Sequence, residues 1–596
     1  MPILKTLQEK VRRLIQDFFL ENREDAEGSA PSLAELDLSK VQVDIAREAA
    51  HGDVTTNAAL LFAKNFRCSP PSLAKRLVAV IGTWPEIAQV DVARAGFINM
   101  TLKPHFWLNE LQNIVALGEN YAKSSPNGQK INIEFVSANP TGPMHTGHVR
   151  NAIFGDALAA LFEKVGYSVY REYYINDSGN QVECLARSVY LRYKEALGHT
   201  LPPGAFQGDI YPGDYLIPVG EALVQKDGER WLQAPESAWL PYFKEFSVQA
   251  MMDLIRHDLA ELGVVMDCYS SEKAQIEKGK LAEALAILEK NGDIYTGVLT
   301  PPKGKAIDDW EARPQTLFRA TKYGDEIDRP LKKSDGSWTY FAGDIAYHLD
   351  KYQRGFTRLI NVLGADHCGY VTRLKAAVQA VTQGRAELNV NLFQIVNFFE
   401  NGQPVKMSKR AGNFITSQDV VARVGKDATR FMMLTRHHGT VLDFDFEKVL
   451  ELSQENPVFY VQYAHARICS VFRYAATVFP DLTEERVRAL GKTGTTNAQN
   501  LSAAEISVLR CLSLWPKVVE QAALHQEPHR IPSFLCQVAG EFHSLWNQGK
   551  SDLALRFIDA HNKEATQEKL FLLSGVAAIL RDGLKLIGIR PVEEMR

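Results

Sequence analysis

The pattern of apolar and polar positions divides the chain into three parts with different periodicities. Residues 1–122 begin with an amphipathic helix over 3–20 and continue with strand-like runs, which together predict a compact α+β domain. Residues 123–450 alternate short β-prone runs with helical stretches, as chains with a parallel sheet do. Residues 451–596 lose almost all strand signals and keep apolar residues at helical spacing, which predicts a separate all-α bundle.

The middle part carries the elements of a doubly wound, Rossmann-type α/β fold. In such a fold the carboxyl ends of the parallel strands face one ligand-binding cleft. Residues 198–300 interrupt the alternation with a Gly-, Pro- and Tyr-rich piece and two helical runs, 219–233 and 240–262, so we interpret them as an insertion. The predicted strands are 131–136, 169–174, 358–363 and 393–399.

The last part should be built from helices alone, because its apolar residues recur at intervals of three and four positions. Nothing in this part alternates with the period of two that marks a half-buried strand. Its charges are mixed, so the sequence of the bundle does not by itself indicate RNA binding. The predicted helices are 456–479, 502–523, 531–548, 552–562 and 566–587.

The stretch around which the chain is organised joins a predicted strand to a predicted helix, INIEFVSANPTGPMHTGHVRN at 131–151. His145 and His148 lie at the start of that helix, where unpaired N–H groups and the positive end of the dipole suit phosphate. Being three residues apart, they share one face and can donate hydrogen bonds to phosphate oxygens. Gly147 leaves room for a flat base or ribose against the backbone. Histidines at a helix start are more often surface caps, so the motif needs a second element.

That second element is a basic stretch far downstream, Lys406-Met407-Ser408-Lys409-Arg410, in a loop bounded by turn residues. A basic loop on its own is usually solvated surface. The pair HxGH and KMSK, however, resembles the two signatures of class I aminoacyl-tRNA synthetases. The physics agrees, because the first site would bind ATP and the lysines would neutralise charge on pyrophosphate as it leaves.

The composition limits how the protein can contact RNA and which cellular compartment suits it. A net charge of −4 means that any RNA contact must use local basic patches. The seven cysteines are scattered without a CxxC pair, which argues against a zinc site and a disulfide framework and suits a reducing cytoplasm. No signal peptide is predicted, and no run of about 18 apolar residues could span a membrane.

Several stretches together resemble arginyl-tRNA synthetases, and they extend over essentially the whole chain. HxGH and KMSK indicate only the class. The stretch YYINDSGNQV, the pair Tyr340 and Asp344 before a helix with His348, and the terminal LKLIGI are more specific to the arginine enzymes. The similar stretches are 51–60, 95–102, 133–151, 173–182, 339–352, 362–370, 406–414, 460–468 and 580–590.

The resemblance implies an N-terminal domain that contacts tRNA, a catalytic domain with an insertion, and a helical domain that binds the anticodon. It implies ATP-dependent ligation of L-arginine to its tRNA through an arginyl-adenylate, with release of AMP and pyrophosphate. Magnesium would arrive with ATP, and no structural metal is expected. We expect a cytoplasmic monomer without membrane contact. Members of this family generally need bound tRNA to activate arginine, and we carry that over as an expectation.

The resemblance also implies roles for individual residues at the ATP end of the site. His145 and His148 would contact the ATP phosphates, and Gly147 the adenosine. Lys406 and Lys409 would contact the leaving pyrophosphate. Neither chemical step needs a protein nucleophile, so these groups would position the reactants and stabilise charge.

At the amino-acid end, a carboxylate should meet the planar, always-charged guanidinium of arginine. The resemblance assigns this to Asp344, with Tyr340 stacking on or hydrogen-bonding the same group, and gives the α-amino and carboxylate end to Glu134 and Asn139. The chain departs from the family in having Ala342-Gly343-Asp344 where many members have Thr-Arg-Asp. A second acidic contact cannot be placed from the sequence, and the candidates by composition are Asp325, Glu326 and Asp328.

Three other interpretations remain open at this point. A cysteine-specific class I enzyme shares a similar helical C-terminal domain, but it resembles a zinc protein and this chain lacks a convincing cluster of cysteine ligands. A non-catalytic relative that only binds tRNA predicts damaged signatures, whereas both are intact here. A nucleotidyltransferase that acts without tRNA leaves the helical part unexplained.

Overall fold

The computed structural model describes residues 2–21, 36–46, 48–299, 313–405, 415–493 and 501–595. Within these ranges no helix combines the length and the apolar character needed to cross a bilayer. The first part of the chain is an α+β unit whose antiparallel sheet has the order β1-β2-β4-β3. The helix predicted at 3–20 is confirmed. The elements of this unit are α1 Ile3–Glu21, β1 Val43–Ile45, β2 Val54–Thr56, α2 Ala58–Phe62, α3 Pro70–Ile81, β3 Ile87–Val92, β4 Ile98–Leu102 and α4 Pro104–Leu117.

The middle part alternates strands and helices, as its sequence pattern predicts. The helices predicted within the insertion are present, and they pack around an aromatic cluster that includes stacked Tyr190 and Trp239. The elements are β5 Lys130–Glu134, α5 Thr146–Lys164, β6 Ser168–Ile175, α6 Asn180–Ala196, α7 Ile217–Asp227, α8 Glu236–Glu261, β7 Cys268–Ser271, α9 Glu272–Glu277, α10 Lys280–Lys290, β8 Ile294–Gly297, β9 Gln315–Phe318, β10 Arg329–Pro330, α11 Tyr340–Gln353, β11 Arg358–Gly364, α12 Cys368–Val381, β12 Glu387–Phe393, β13 Val396–Glu400, β14 Gln403–Pro404, α13 Ser417–Val424, α14 Lys426–Met433, β15 Leu442–Asp445 and α15 Phe446–Leu450.

The central sheet has five strands in the order β12-β11-β5-β6-β7, and every neighbouring pair is parallel. The predicted doubly wound parallel sheet is therefore confirmed. Chain order reverses on either side of β5, and ligands bind at such a switch point, beyond the carboxyl ends of the strands. Strand β7 joins this sheet from within the range 198–300 that the sequence pattern assigns to an insertion.

One strand prediction needs correction, because the run 393–399 is not a single strand. Strand β12 ends at Phe393, and β13 begins at Val396 in a separate sheet of order β14-β13-β15. The chain turns between them, where the backbone N–H of Gln394 donates to the carbonyl of His438 at 3.0 Å. An apolar run gives no signal of such a turn when both halves are buried.

Helix α5, which begins with HTGH, packs directly on β5. The contact is close because Gly155 has no side chain: a Cβ there would lie 2.2 Å from the ring of Phe135. The helix is buried around most of its circumference, including Ala152, Ile153 and Leu158. The start of α5 is thus fixed rigidly at the switch point of the sheet.

The last part is helical, as predicted, with two differences in detail. The run 502–523 forms two helices, because Pro516 begins a new helix after a turn at Leu514. The helix predicted at 552–562 is wrong: apart from one 3₁₀ turn, Leu553–Leu555, this is a loop. Leu555 in that turn and Phe557 after it are buried without an α-helix. The helices are α16 Pro457–Val478, α17 Glu484–Thr493, α18 Ala503–Ser513, α19 Trp515–Leu524, α20 Arg530–Ser551 and α21 Lys563–Leu586.

Ion pairs join the three parts. Asp53 and Asp44 of the first part pair with Arg510 and Lys517 of the helical part. The buried Arg430 donates to the carbonyl of Ile587 at 2.7 Å and to Asp156 of α5 at 2.5 Å. These bonds hold the terminal LIGI segment against the middle part of the chain.

Candidate active site

A cleft of about 690 Å³ lies at the carboxyl ends of the central strands. It is mainly polar at the end near β6 and α11 and has apolar residues near β12 and the turn after it. The resemblance stated in the sequence analysis assigns roles to nine residues, and six of them line this cleft. They are Glu134, Asn139, His145, Gly147, His148 and Asp344.

The two histidines both cap the helix and face the cleft. His145 is the N-cap residue of α5, and its Nδ1 accepts a hydrogen bond from the Gly147 N–H at 3.1 Å. His148 Nδ1 accepts from the backbone N–H of His145 at 3.4 Å, and the two rings stack with centroids 3.7 Å apart. Because each Nδ1 accepts, each neutral ring carries its proton on Nε2. The two rings therefore present N–H donors of the kind that phosphate oxygens need.

The loop between β5 and α5 is strained. Val136 has φ +67° and Ser137 φ +39°, in the left-handed region that a β-branched residue rarely adopts. Asn151 of α5 holds the loop, because its Oδ1 accepts from the Val136 N–H at 2.8 Å while its Nδ2 donates to the Val362 carbonyl at 3.1 Å. In this conformation Val136, Ser137 and Asn139 all line the cleft.

Asn139 belongs to a polar network with the stretch after β6. Asn139 Nδ2 donates to Gln181 Oε1 at 2.9 Å, and Asn176 Nδ2 donates to Asn139 Oδ1 at 3.4 Å. Neither Asp177 nor Ser178 caps α6, since Gly179 occupies the N-cap position.

Asp344 lies in the second turn of α11, on the cleft side of the helix. Thr339 is the N-cap residue of α11, so Asp344 is not a helix cap. The hydroxyl of Tyr370 donates to Asp344 Oδ2. Burial raises the pKa of Asp344 to about 7, with the negative charges of Glu134 and Glu272 adding to the effect and the Tyr370 hydrogen bond opposing it. This carboxylate therefore favours a cationic ligand.

Glu272, the first residue of α9, lies beside Asp344 and was missed by the sequence comparison. It is buried, and Ser178 Oγ donates to its Oε2 at 2.6 Å. Its Oε1 would be 3.8 Å from a methyl group on Gly343, the position where many relatives have arginine. Burial raises the pKa of Glu272 as well. The departure at Gly343 thus leaves Glu272 without a neighbouring cation there.

The three acidic candidates from composition do not line the cleft. Asp325 is held by both Nε and Nη2 of Arg329, at 2.6 and 2.7 Å. Asp328 accepts from Tyr295 and Thr321, and Glu326 is exposed. The second carboxylate whose charge acts on Asp344 is that of Glu272, which is buried beside the cleft and accepts a hydrogen bond from Ser178.

Glu134 is paired within the protein. Lys351, whose side chain is 0% exposed, places its Nζ 2.6 Å from Glu134 Oε2, and Ser137 Oγ donates to Glu134 Oε1 at 3.1 Å. Asn361 Oδ1 accepts from the same ammonium at 3.4 Å. Lys351 is thus a buried cation directly behind a residue expected to bind the amino-acid substrate.

His348 fills the space between Asp344 and Asn361. Its Nδ1–H donates to the Asp344 carbonyl at 2.8 Å, and Asn361 Nδ2–H donates to its Nε2 at 3.0 Å. Burial lowers the pKa of His348 to about 3, with Lys351 adding to the effect. The ring is therefore neutral at every pH at which the protein would be assayed.

Three residues from the sequence comparison are not placed in the cleft. Tyr340 is 60% exposed on the first turn of α11 and does not line the cleft, although its hydroxyl lies near Gly179. Lys406 and Lys409 fall in 406–414, outside the residues that the structure describes. The described chain reaches Val405 on one side and Ile415 on the other, and Thr416 forms a bridge with His145.

The parallel sheet, the HTGH helix at its switch point and the KMSK sequence together define a class I aminoacyl-tRNA synthetase. Three family models match the chain: "Arginyl tRNA synthetase N terminal domain" at residues 5–102, "tRNA synthetases class I (R), catalytic domain" at 110–472, and "DALR anticodon binding domain" at 461–595. The chain belongs to the arginyl-tRNA synthetase family.

Curated relatives agree along the full length. An arginine–tRNA ligase of Rhodospirillum rubrum is 50% identical, over 96% of this chain and 97% of the relative. One of Parvibaculum lavamentivorans is 51% identical, over 97% and 99%. The solved arginyl-tRNA synthetase of Thermus thermophilus superimposes with a TM-score of 0.71, covering 100% of both chains, and at 20% identity this likeness concerns the fold.

Proposed function

We propose that this chain ligates L-arginine to its tRNA, with ATP as the energy source and an arginyl-adenylate as the intermediate. The observation that carries the proposal is the placement of Asp344 at one end of the cleft whose other side is formed by HTGH. The buried carboxylate of Glu272 lies next to Gly343 of the same helix. An anionic end suits a guanidinium, and a helix start with N–H donors suits a triphosphate.

The amino-acid end selects arginine through charge and shape. Asp344 meets the guanidinium, with Glu272 as the second carboxylate that the sequence could not place. Tyr340 would have to move over the bound group to contribute, since its ring lies at the rim. Lysine is rejected because a single ammonium cannot satisfy two carboxylates arranged for a planar fork, and discrimination by such charged sites can reach about 10⁴ without editing.

The other end of arginine lies near Glu134 and Asn139. The Oε2 of Glu134 is committed to Lys351, so Oε1 is the atom available to the α-ammonium. The carboxylate of arginine then attacks the α-phosphate of ATP in line, and pyrophosphate leaves. The protein's contribution is to position these groups and stabilise the charge that develops.

The phosphates lie at the start of α5, within reach of His145 and His148. Gly147 exposes the backbone to the adenosine, and the exposed apolar side chain of Ile395 offers a surface for the base. Magnesium accompanies ATP as part of the substrate; among the described residues no group of three or more His, Cys, Asp and Glu could hold a metal ion.

In the second step the terminal ribose hydroxyl of tRNA attacks the acyl carbon, and AMP leaves. The first and last parts of the chain contact the tRNA outside the cleft. We infer that the chain acts as a monomer in the cytoplasm, where its seven cysteines would stay reduced; those of the described chain are free.

Lys409→Ala is expected to lower the rate of arginine activation about tenfold, because it removes one positive charge from the leaving pyrophosphate. The affinity for tRNA should change little. Arginine-dependent ATP–pyrophosphate exchange measures the rate, and filter binding measures tRNA affinity. Lys426→Ala, which replaces a half-buried lysine on α14 that does not line the cleft, serves as the control. A normal exchange rate in Lys409→Ala would reject this role.

Arginine affinity is expected to fall as pH falls below about 7, because Asp344 must be ionised to meet the guanidinium. The sign follows from linkage: a bound cation favours the ionised form, so binding below that pH releases a proton. The dissociation constant should therefore rise by at most about tenfold per pH unit below 7 and level off above it. Calorimetry in two buffers of different ionisation enthalpy measures the released proton.

The control for this pH dependence is Asp344→Asn, which removes the titrating group. Burial also raises the pKa of the nearby Glu272, so a dependence that remains in this variant is assigned to Glu272 only if adding Glu272→Gln abolishes it. An arginine affinity that is constant from about pH 5.5 to about pH 8 would contradict the raised pKa of Asp344.

The decisive test of the proposed function is pyrophosphate exchange with each amino acid, with and without bulk tRNA. Exchange that requires arginine supports the proposal. Exchange with lysine or cysteine would overturn the substrate assignment, and no exchange with any amino acid in the presence of tRNA would support a relative that only binds tRNA.

A further inference from the structure

Beside the ATP end of the cleft lies a buried arginine for which the described part of the chain supplies no carboxylate. Arg150 lies on α5, two residues after His148, and is 1% exposed. Among the described residues its guanidinium donates only to backbone carbonyls, those of Thr440 at 2.9 Å, His437 at 3.0 Å, Gln394 at 3.3 Å and Arg436 at 3.4 Å. A buried cation without a carboxylate is costly, and burial lowers the pKa of Arg150 to about 10.

The four carbonyls belong to two segments that pack against α5, where the ring of Phe154 also contacts that of His438 with centroids 5.2 Å apart. Residues 394–395 connect β12 to β13, and residues 434–441 connect α14 to β15. The backbone N–H of Gln394 also donates to the His438 carbonyl at 3.0 Å, so the segments hold each other. Gln394 and Ile395 line the cleft together with His145 and Gly147. Arg150 therefore fixes one wall of the site from behind.

The end of β12 and the segment 434–441 both contact the helical part of the chain. Asn391, at the end of β12, donates through Nδ2 to Gln526 Oε1 at 2.6 Å. The ring of His437 contacts that of His529 with centroids 5.3 Å apart, and His437 Nε2 lies 4.0 Å from Glu527 Oε1. Gln526, Glu527 and His529 form the loop between α19 and α20. We call this contact the histidine junction.

We propose that Arg150 is a positioning residue for ATP: it holds the wall at 394–395 against the HTGH helix, and the histidine junction lets the helical part of the chain set the position of that wall. The proposal rests on the proposed function. A guanidinium suits this task because its planar fork can hold several carbonyls at fixed angles, which a methionine or leucine of similar volume cannot. Because packed interiors do not deform freely, a displacement at the junction moves the wall as a unit.

The first measurement is arginine-dependent pyrophosphate exchange by the unchanged chain with arginine tRNA. Failure here concerns the proposed function and not Arg150. Given exchange, Arg150→Met is expected to raise the KM for ATP about tenfold and leave the KM for arginine within about twofold. Arg150→Lys, which keeps the charge and a single donor centre, should recover part of the loss. Equal changes in both KM values, or an unchanged KM for ATP in a folded variant, would overturn the proposal.

The junction provides a test that does not depend on how well Arg150→Met folds. The double variant Gln526→Ala, His529→Ala lies outside the cleft and should raise the KM for ATP about threefold, with tRNA affinity unchanged by filter binding. The matched control is His525→Ala, which replaces an exposed histidine next to Gln526. This variant should behave as the unchanged chain.

Combining the junction variant with Arg150→Lys shows whether the junction and Arg150 change the KM for ATP through the same wall or independently. If the junction acts through the wall that Arg150 holds, the combined change in the KM for ATP will be smaller than the product of the separate changes. A purely multiplicative effect, or a junction variant with an unchanged KM for ATP, would show that the helical part does not act through Arg150.

Discussion

Asp344→Asn is expected to raise the KM for arginine by about two to three orders of magnitude while ATP continues to bind. The substitution preserves shape and still accepts a hydrogen bond from Tyr370, but it removes the charge that pairs with the guanidinium. Breaking one half of a desolvated, hydrogen-bonded charge pair typically costs about 3–5 kcal/mol, and the lower part of that range, about 3–4 kcal/mol, corresponds to this change in affinity. Steady-state pyrophosphate exchange at varied arginine, with ATP binding measured separately, tests the prediction.

The matched control lies on the same helix. Asp350→Asn removes a carboxylate of α11 that pairs with Arg354 at 2.9 Å and does not line the cleft, so it should leave the KM for arginine within about twofold. If Asp344→Asn bound arginine as well as the unchanged chain does, the guanidinium would have to be held elsewhere, and the assignment of the amino-acid end would fail.

Lys351→Met is expected to lower the free energy of unfolding by about 3–5 kcal/mol, since it leaves the buried carboxylate of Glu134 without its cation. Glu134 loses its ion pair directly. Glu172, fully buried in the sheet, is affected through space: burial raises the pKa of its carboxyl, and Lys351 followed by Arg354 more than offsets this and brings it below its ordinary value. Urea unfolding followed by fluorescence and thermal unfolding measure the loss.

Lys375→Met is the control for Lys351→Met, because Lys375 is an exposed lysine on the neighbouring helix α12. Its unfolding midpoint should match that of the unchanged chain. Equal midpoints for Lys351→Met and Lys375→Met would show that the buried pair contributes nothing net. A second expected effect is a higher KM for arginine in Lys351→Met, because Glu134 would no longer be held in one orientation.

Much of the fold follows from periodicity in the sequence. The three parts, the parallel strands at 131–136, 169–174 and 358–363, and the helix that begins at HTGH all result from local patterns that their buried faces require. Two of the three wrong elements share a cause. In 393–399 and in 552–562 apolar side chains are buried, but a turn or a loop buries them, and periodicity does not distinguish these from a strand or a helix.

The sequence predicts the site residues that belong to recognisable motifs. It does not predict contacts between residues that are far apart in the sequence. Glu272 reaches Asp344 only because β7 joins the edge of the central sheet, which no local signal indicates. Lys351 carried a signal that could have been used: Asp344, His348 and Lys351 recur at helical spacing, so three polar residues share the face of α11 that a packed helix would fill with apolar ones. The positions of Lys406 and Lys409 stay predictions.

The ion pairs of Asp53 with Arg510 and of Asp44 with Lys517 have a consequence for substrate choice. They brace the first and last parts of the chain against each other, so the two surfaces proposed to touch tRNA keep a constant spacing. A nucleic acid that engages both must present its contact regions at that same separation. The enzyme would then select a tRNA by the distance between its two contact regions as well as by its bases. Shortened or extended tRNAs would be poor substrates even with the correct anticodon.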